Sequence, residues 1–415
     1  MAGPRRTAEP RARAAVTGGP LDPNADPGRT HRAGGAHRAH PAAGVDRAPA
    51  GRLAGVDAAR GAALVGMVAT HTLLLRDGGE PTLTEVLAHG RASALFAVVA
   101  GVGIALSTGG MRPPRGGELL PAAVGLAVRA VLIAAIGLLL VELDPPVLVI
   151  LAFYGLLFAV AIPLLPLRVG VLAAGAVVAC VVTPVVSHVL RPGRTATPDQ
   201  AGLAALVDPG ELFAHLALTG FYPVLTWTTY LLAGMAVGRA DLRRPATAWW
   251  LLGGGAALAA AAMTASSVLV AASGGAVREG GSFLYGVAPT DTWWWLAVDT
   301  PHSGTPLDLA NTTGSALAVL GAMLLLARYA PAIAWVPAAV GAIPLTLYVL
   351  HVMLLAAHPA VGAQRPAVFV AHVAGAVAVG VAVRLSGGRG PLEAGVSAVS
   401  RTARDGVRRR MQPAR

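Results

Sequence analysis

The chain has 415 residues, of which 55% are hydrophobic and only 13% are charged, and its formal net charge is +11. A soluble globular protein carries roughly 25% charged residues, so the composition excludes an ordinary soluble domain, whose water-facing surface needs more charge. All 32 basic residues are arginine. Together with the abundant alanine, glycine, valine and proline, they indicate a GC-rich, actinobacterial coding sequence.

The first 50 residues are rich in Pro, Gly, Ala and Arg and show no apolar periodicity. We expect residues 1–50 to form a disordered basic tail. They also lack the apolar stretch of a cleavable signal peptide, so the first span is expected to act as the insertion signal. Residues 51–387 are predicted to form one multi-pass membrane domain, and residues 388–415 a basic cytoplasmic tail.

Apolar runs of membrane-spanning length fill most of the remaining chain. The ten predicted spans lie at residues 57–75, 91–107, 119–141, 145–166, 168–190, 222–238, 247–273, 309–328, 333–357 and 366–385. A helix needs about 20 residues to cross roughly 30 Å of hydrocarbon, and backbone groups in lipid must be satisfied within the helix. The sequence therefore predicts an all-α polytopic protein of the cell (plasma) membrane with about ten transmembrane helices.

The arginines set the orientation of these spans, because cytoplasmic loops are enriched in positive charge. With both termini in the cytoplasm, most arginines fall on the inner side, where the connecting loops are short and arginine-dense. The six arginines that fall outside are Arg76, Arg91, Arg191, Arg194, Arg278 and Arg365. We therefore predict that both termini are cytoplasmic. The same asymmetry explains the basic net charge without a nucleic-acid partner.

This topology places every histidine beyond the tail in the outer half of the protein. The eight residues are His71, His89, His188, His215, His302, His351, His358 and His372. A titratable cluster on one face suits acid–base chemistry in an exterior-facing pocket, although interfacial histidines also tolerate the headgroup zone. His351 stands out about two turns inside span nine, where an ionisable residue normally faces the bundle or a water-filled cavity. A neutral histidine bonded to a neighbouring helix is the competing interpretation.

Further residues are candidates for binding. Arg129 lies in the middle of span three, where an arginine needs a carboxylate, a carbonyl or a ligand anion, so it fits either an acyl-carrier phosphate or a structural ion pair. Arg91 lies beside His89, and Trp294 belongs to a run of three tryptophans; snorkelling and interfacial anchoring are the simpler interpretations. The single cysteine, Cys180, excludes a cysteine-based metal site, and no metal is expected.

Five segments resemble a known group of membrane enzymes. They are residues 52–71 (RLAGVDAARGAALVGMVATH), 89–101, 301–308 (PHSGTPLD), 344–351 and 388–393 (GRGPLE). The first resembles the opening of the transmembrane acyltransferase superfamily, which includes the heparan-α-glucosaminide N-acetyltransferase catalytic domain and the bacterial YeiB-type family. The last is similar to the C-terminal signature of the YeiB-type group, and the resemblance covers about residues 52–395.

The resemblance implies acetyl transfer across the membrane, with acetyl-CoA as the donor on the cytoplasmic side and an amine or hydroxyl acceptor on the outer side. It also implies a catalytic histidine in the first outer loop. In the family this histidine precedes a Trp-rich segment. Here the loop offers His71 and His89 at other spacings and without that segment, so the role is open between them.

The leading prediction is an integral-membrane acyltransferase that modifies an envelope glycan or glycolipid. His71 or His89 would be the general base or acyl relay, helped by His302 and Asp299. The predicted binding residues are Arg129 for the donor and Arg91, His351 and Trp294 for the substrate. The predicted partners are the lipid bilayer, the glycan or lipid-linked acceptor and, as an assembly, a homodimer.

Two other functions remain open from the sequence. A transporter or flippase would use the same histidines for proton coupling, and a membrane-organising protein would have no turnover. Transporters commonly carry internal repeats and broken helices, and the sequence shows no convincing repeat.

Cysteine-accessibility labelling tests the predicted orientation. In a Cys180→Ser background, single cysteines placed within 274–308 should react with an impermeant reagent added outside intact cells. Cysteines placed within 239–246 should react only after permeabilisation. Shielding of the first set together with labelling of the second would mean that the topology is inverted.

Overall fold

The computed structural model describes residues 53–193, 199–277, 284–358 and 365–411. The predicted N-terminal tail, residues 1–50, lies outside the described residues. The helices are α1 (Ala54–Thr72), α2 (Leu83–Ala88), α3 (Arg91–Ser107), α4 (Leu119–Val141), α5 (Leu151–Leu164), α6 (Val169–Leu190), α7 (Pro209–Ala214), α8 (Val224–Gly238), α9 (Pro245–Ala272), α10 (Pro306–Tyr329), α11 (Pro331–Val340), α12 (Pro344–Ala357), α13 (Pro366–Leu385) and α14 (Pro391–Met411).

Helices account for nearly all the regular structure in the described ranges. Two two-residue strands, β1 (Arg76–Asp77) and β2 (Glu80–Pro81), form a small antiparallel hairpin between α1 and α2. The prediction of an all-α membrane protein is confirmed in this form. The helices follow from long runs of Ala, Leu, Val and Gly, whose backbone groups have no partner in lipid other than one another.

Six helical segments are long and apolar enough to cross a membrane. They are Leu83–Ser107, Gly116–Val141, Val169–Leu190, Pro245–Ala272, Pro306–Tyr329 and Pro366–Leu385. The consecutive helices α11 and α12 would make a seventh span, bent by 58°. This criterion, applied to the described residues, finds fewer spans than the predicted ten, so the count of ten and the position of the termini stay predictions.

The two short apolar helices α5 and α8 lie among the longer ones. The predicted span 145–166 forms a helix only from Leu151, and just before it the N–H groups of Val149 and Ile150 bond to the side chains of Gln200 and Tyr348. With 14 residues, α5 is about 21 Å long, short of the roughly 30 Å of hydrocarbon. Most residues of α8 are buried against its neighbours, so this helix lies in the interior of the bundle.

Close glycine contacts fix α1 against the break between α11 and α12. A side chain at Gly341 would collide with the carbonyl oxygen of Asp57, and one at Gly61 would collide with that of Pro337. Small residues let helix backbones approach in this way inside membranes. The contact sets the register of α12 along α1, which matters for the site described below.

One buried arginine joins the C-terminal ends of two helices. Arg239, only 4% exposed, follows α8 and donates to the carbonyl oxygens of Ala105 at 3.0 Å, Thr108 at 3.1 Å and Gly110 at 2.9 Å, around the end of α3. Its other terminal nitrogen donates to the carbonyl of Leu165, at the end of α5, at 2.8 Å. Helix C-termini present unpaired carbonyls and a partial negative charge, so a guanidinium satisfies both helices at once.

A carboxylate satisfies the free N–H groups at the start of α12. Glu393 accepts hydrogen bonds from the backbone N–H groups of Leu345 at 2.7 Å and Thr346 at 3.1 Å. It also accepts one from the Thr346 hydroxyl. Glu393 lies in the first turn of α14, an amphipathic helix that packs along α4. The segment 388–415, which we predicted to be a basic tail, therefore contains a helix that caps another helix.

The N-terminal end of α5 is satisfied from two distant segments. Ile150 N donates to the Tyr348 hydroxyl at 3.2 Å. Val149 N donates to the side-chain oxygen of Gln200 at 2.8 Å, and the Gln200 amide donates to the carbonyl of Val147 at 3.1 Å. Tyr348 is fully buried, so α12 both receives a cap from α14 and supplies one to α5.

Replacing Arg239 should destabilise the fold. Arg239→Ala leaves four carbonyls without this donor, and each unsatisfied buried group costs about 1–3 kcal/mol. We expect a loss of monodisperse protein in detergent or a melting temperature lowered by many degrees. Arg239→Lys should fall in between, because one ammonium cannot span carbonyls on two helices.

Arg243→Ala is the matched control, because Arg243 lies exposed in the connection that follows. Thermal melting followed by size-exclusion chromatography measures all three variants. Equal melting of Arg239→Ala and Arg243→Ala would contradict the structural role of Arg239.

Candidate functional site

Three helices bring three histidines together. His71 lies in the last turn of α1, His351 lies in α12 and His372 lies in α13. His71 Nδ1 is 3.0 Å from His351 Nε2, and His351 Nδ1 is 2.7 Å from His372 Nδ1. The rings of His71 and His351 are almost parallel, whereas those of His351 and His372 are perpendicular. We refer to these three residues as the histidine chain.

A second pair of histidines comes from two loops. His89 is the residue that ends α2, and His302 lies in the loop before α10. Their ring centroids are 5.3 Å apart. Gly90, which follows His89 and has a φ of 72°, packs against Pro301, which precedes His302. This contact brings the two loops together.

His302 has an unusual backbone and an aromatic surrounding. Its φ of 62° lies in the left-handed region, which non-glycine residues seldom adopt and which tends to occur at functional sites. Its ring lies 4.4 Å from that of Phe221 and 5.9 Å from that of Tyr222, measured between centroids. The fold therefore holds this imidazole in one place despite the backbone strain.

Burial keeps His302 uncharged. It lowers the pKa of His302 well below the ordinary 6.5, and the neighbouring His89 and His71 lower it further, because like charges repel. A neutral imidazole can accept a proton at one nitrogen and donate one from the other. Because the charge of His71 also acts on His302, the histidine chain and the His89–His302 pair lie within electrostatic range of each other.

Carboxylates and an arginine adjoin this neighbourhood. Asp299 accepts a hydrogen bond from the Asn311 side chain at 3.2 Å. Asp308, only 2% exposed, accepts from Gly304 N at 3.0 Å through one oxygen, and its other oxygen has no hydrogen-bond partner among the described residues. The electrostatic influence of Arg91 reaches both His89 and Asp308. Arg91 thus lies near the predicted site.

Two of these residues were not assigned a role from the sequence. His372 was counted among the outer histidines, but nothing in the sequence indicates its contact with His351. The position of Asp308 in the first turn of a helix could have been predicted, because Thr305-x-x-Asp308 is a helix-capping pattern. The Thr305 hydroxyl accepts from Asp308 N at 3.1 Å. In the described ranges, no group of three His, Cys, Asp or Glu side chains is placed to hold a metal ion.

Other predicted candidates have different surroundings. Trp294 lies on the short 3₁₀ turn Trp293–Ala297 and is 38% exposed. Its neighbour Trp293 packs against His188 with tilted rings whose centroids are 4.4 Å apart. His215 packs against Phe153. The structure therefore places the tryptophan run beside His188, a residue outside the histidine chain and the His89–His302 pair.

Arg129 lies elsewhere along the bundle. Its guanidinium stands 5.7 Å from the centroid of the Phe158 ring, and the charges that act on it are those of Arg60 and Glu393. Arg60 is itself paired with Asp57 at 2.6 Å. The Arg129 side chain is exposed on the surface of the bundle, and because a guanidinium facing hydrocarbon is costly, a polar or anionic partner is expected there.

A comparison with protein families matches more than half of the chain. The family model described as heparan-alpha-glucosaminide N-acetyltransferase, catalytic, matches residues 52–270. The matched part runs from α1 into α9 and includes His71, His89, Arg91 and Arg129, whereas His302 lies beyond it. No curated protein matches the sequence. Together with the residues 52–71 motif and the apolar helices, this match shows that the chain belongs to the heparan-alpha-glucosaminide N-acetyltransferase catalytic-domain family of membrane acyltransferases.

Proposed function

We propose that this protein transfers an acetyl group from acetyl-CoA to an amine or hydroxyl of an envelope glycan or glycolipid on the outer side of the cell membrane. The family supports acetyl transfer as the chemistry. The observation that supports this choice of site is that His89 packs against His302, while His71 acts on His302 electrostatically and burial lowers the pKa of His302. Imidazoles that are neutral at physiological pH are suited to general acid–base catalysis.

His71 is the proposed general base. His351 holds its Nδ1 at 3.0 Å, which fixes the ring orientation, as the third member does in a nucleophile–base–orienter arrangement, and leaves Nε2 as the nitrogen proposed to react. His71 Nε2 accepts the proton of the acceptor as the acceptor nitrogen or oxygen attacks the thioester carbonyl. The C–S bond then breaks, and the thiolate leaves. The same nitrogen is the acyl carrier in a two-step version of the transfer.

His302 and His89 are the proposed partners of the developing oxyanion. A neutral imidazole donates a hydrogen bond without giving up its proton, and donors aimed at developing charge are usually the largest contribution to catalysis. His89 keeps the alternative role of base, since it adjoins His302 at 5.3 Å. Asp299 and Arg91 are proposed to position the acceptor, with Asp299 oriented by Asn311.

Arg129, together with Arg60, is proposed to bind the phosphates of the donor. A guanidinium pairs with phosphate through two parallel hydrogen bonds, and the Arg129 side chain beside Phe158 is exposed. Glu142, the residue that follows α4, is occupied elsewhere, since it accepts from Leu203 N at 2.7 Å. This arrangement supports a ligand anion rather than a carboxylate of α4 as the partner of Arg129.

The second candidate function is a proton-coupled transporter or flippase. Hydrogen-bonded histidines within a membrane bundle also serve proton coupling, and the broken pair α11–α12, bent by 58°, is a feature that transporters share. Transport would move an unmodified solute, whereas transfer produces an acetylated one. The fate of the acetyl group therefore separates the two functions.

Acetyl transfer can be measured with labelled acetyl-CoA on inside-out vesicles, following the label into lipid or glycan. His71→Ala should lower the rate about 10²–10⁴-fold, the usual contribution of a positioned acid–base group. His358→Ala is the control, because His358 lies exposed at the end of α12, and it should keep the wild-type rate. Wild-type rates in both variants would remove His71 from the mechanism, and absence of any labelled product in the wild type would refute the transfer itself.

Donor binding can be tested at Arg129. Arg129→Ala should raise the KM for acetyl-CoA about 10- to 100-fold with little change in kcat, because a charge-assisted hydrogen bond contributes about 1.5–3 kcal/mol. Arg168→Ala, at an exposed position between α5 and α6, is the matched control. S-acetylpantetheine lacks the nucleotide, so its use should be insensitive to Arg129→Ala. Equal KM effects on the two donors would contradict a phosphate contact.

A further inference from the structure

The histidine chain has a property that goes beyond its place next to the proposed base. His351 bonds an imidazole through each of its ring nitrogens, His71 at Nε2 and His372 at Nδ1. Both nitrogen–nitrogen distances, 3.0 and 2.7 Å, suit hydrogen bonds. His351 is 5% exposed, so the middle of the chain is shielded from water and the bonds run from ring to ring.

Counting hydrogens fixes how the chain can be protonated. A neutral imidazole carries one N–H, so the two hydrogen bonds at a neutral His351 must point the same way along the chain. If His71 Nδ1 donates to His351, then His351 Nδ1 donates to His372; in the reverse arrangement every bond is reversed. The two terminal nitrogens, His71 Nε2 and His372 Nε2, are therefore always in opposite states, one with a proton and one with a lone pair.

We propose that His71, His351 and His372 form a proton relay for the transfer site, with His372 as its terminal member. The inference rests on the proposed function. A proton that His71 Nε2 takes from the acceptor displaces the proton on His71 Nδ1 to His351 Nε2. The proton on His351 Nδ1 moves to His372 Nδ1, and His372 Nε2 releases its proton to water.

The same chain resets in the second half of the reaction. When the C–S bond has broken, a proton enters at His372 Nε2, the bonds reverse, and His71 Nε2 gives a proton to the leaving thiolate. The acceptor has lost one proton and the thiol has gained one, so the balance closes without an added reactant. The relay keeps the intervening proton on the His372 side, away from the thiolate until acetyl transfer is complete.

A purely structural role for the chain predicts different behaviour. Three neutral histidines could simply hold α1, α12 and α13 together through their hydrogen bonds. A glutamine side chain also donates and accepts hydrogen bonds, but it does not exchange protons at neutral pH. His372→Gln therefore retains a structural bond to His351 and removes a relay.

The experiment compares His372→Gln, His372→Ala and the control His358→Gln in the labelled-acetyl assay, with melting temperature measured for each. We expect His372→Gln to melt like the wild type and to transfer about 10²-fold more slowly, at the lower end of acid–base contributions. Added imidazole should restore part of the rate of His372→Ala, because the free base replaces the missing ring. His358→Gln should match the wild type in both measurements.

A wild-type transfer rate in His372→Gln would overturn the relay, as would a slow His372→Ala variant that imidazole does not restore. If His372→Gln does not fold, nitrogen-15 NMR of histidine-labelled wild-type protein decides. The Nε2 signals of His71 and His372 should be of opposite protonation type, or both averaged between the two types, and the same fixed type at both would overturn the relay. A wild type without transfer activity would instead refute the proposed function, and the relay with it.

Discussion

The structure depends on one constraint: a backbone group that leaves a helix inside a membrane must find its partner within the protein. This bundle contains short and broken helices, and within the described ranges the ends of α3 and α5 and the starts of α5 and α12 are satisfied by side chains from distant parts of the chain. Arg239 donates hydrogen bonds to the carbonyls at the ends of α3 and α5, and Glu393 accepts hydrogen bonds from the N–H groups at the start of α12. The side chains of Gln200 and Tyr348 accept hydrogen bonds from the N–H groups at the start of α5.

The candidate site inherits its geometry from these contacts. The close contact of Gly341 with Asp57 fixes the level of α12 along α1, and Glu393 holds the first turn of α12 in place. His351 lies less than two turns further along the same helix, so its distance from His71 follows from packing at the start of α12. The cap from α14 and the histidine chain both act on α12, so the cap helps to set the geometry of the histidine chain.

Much of the fold could be predicted from the sequence because hydropathy reports helices directly and the residues 52–71 motif reports the family. The arginine placement, combined with the predicted spans, grouped the histidines in the predicted outer half. Their pairing could not be predicted: His71, His351 and His372 meet only when three helices are set in register, and hydropathy contains no information on register. The cap by Glu393 joins residues 47 positions apart, which local capping rules do not cover. The structure also begins α5 later than predicted, since hydropathy does not register that Val149 N and Ile150 N donate to the distant side chains of Gln200 and Tyr348.

The left-handed backbone of His302 has a consequence for reading the evolution of this loop. At φ of 62°, asparagine and glycine are accommodated well, whereas β-branched residues are strongly disfavoured. A substitution at position 302 must therefore first be compatible with the left-handed backbone, whatever the chemistry of its side chain. Among related sequences, an asparagine here would mark a lineage that kept the loop and gave up the imidazole, and a valine would mark one that rebuilt the loop.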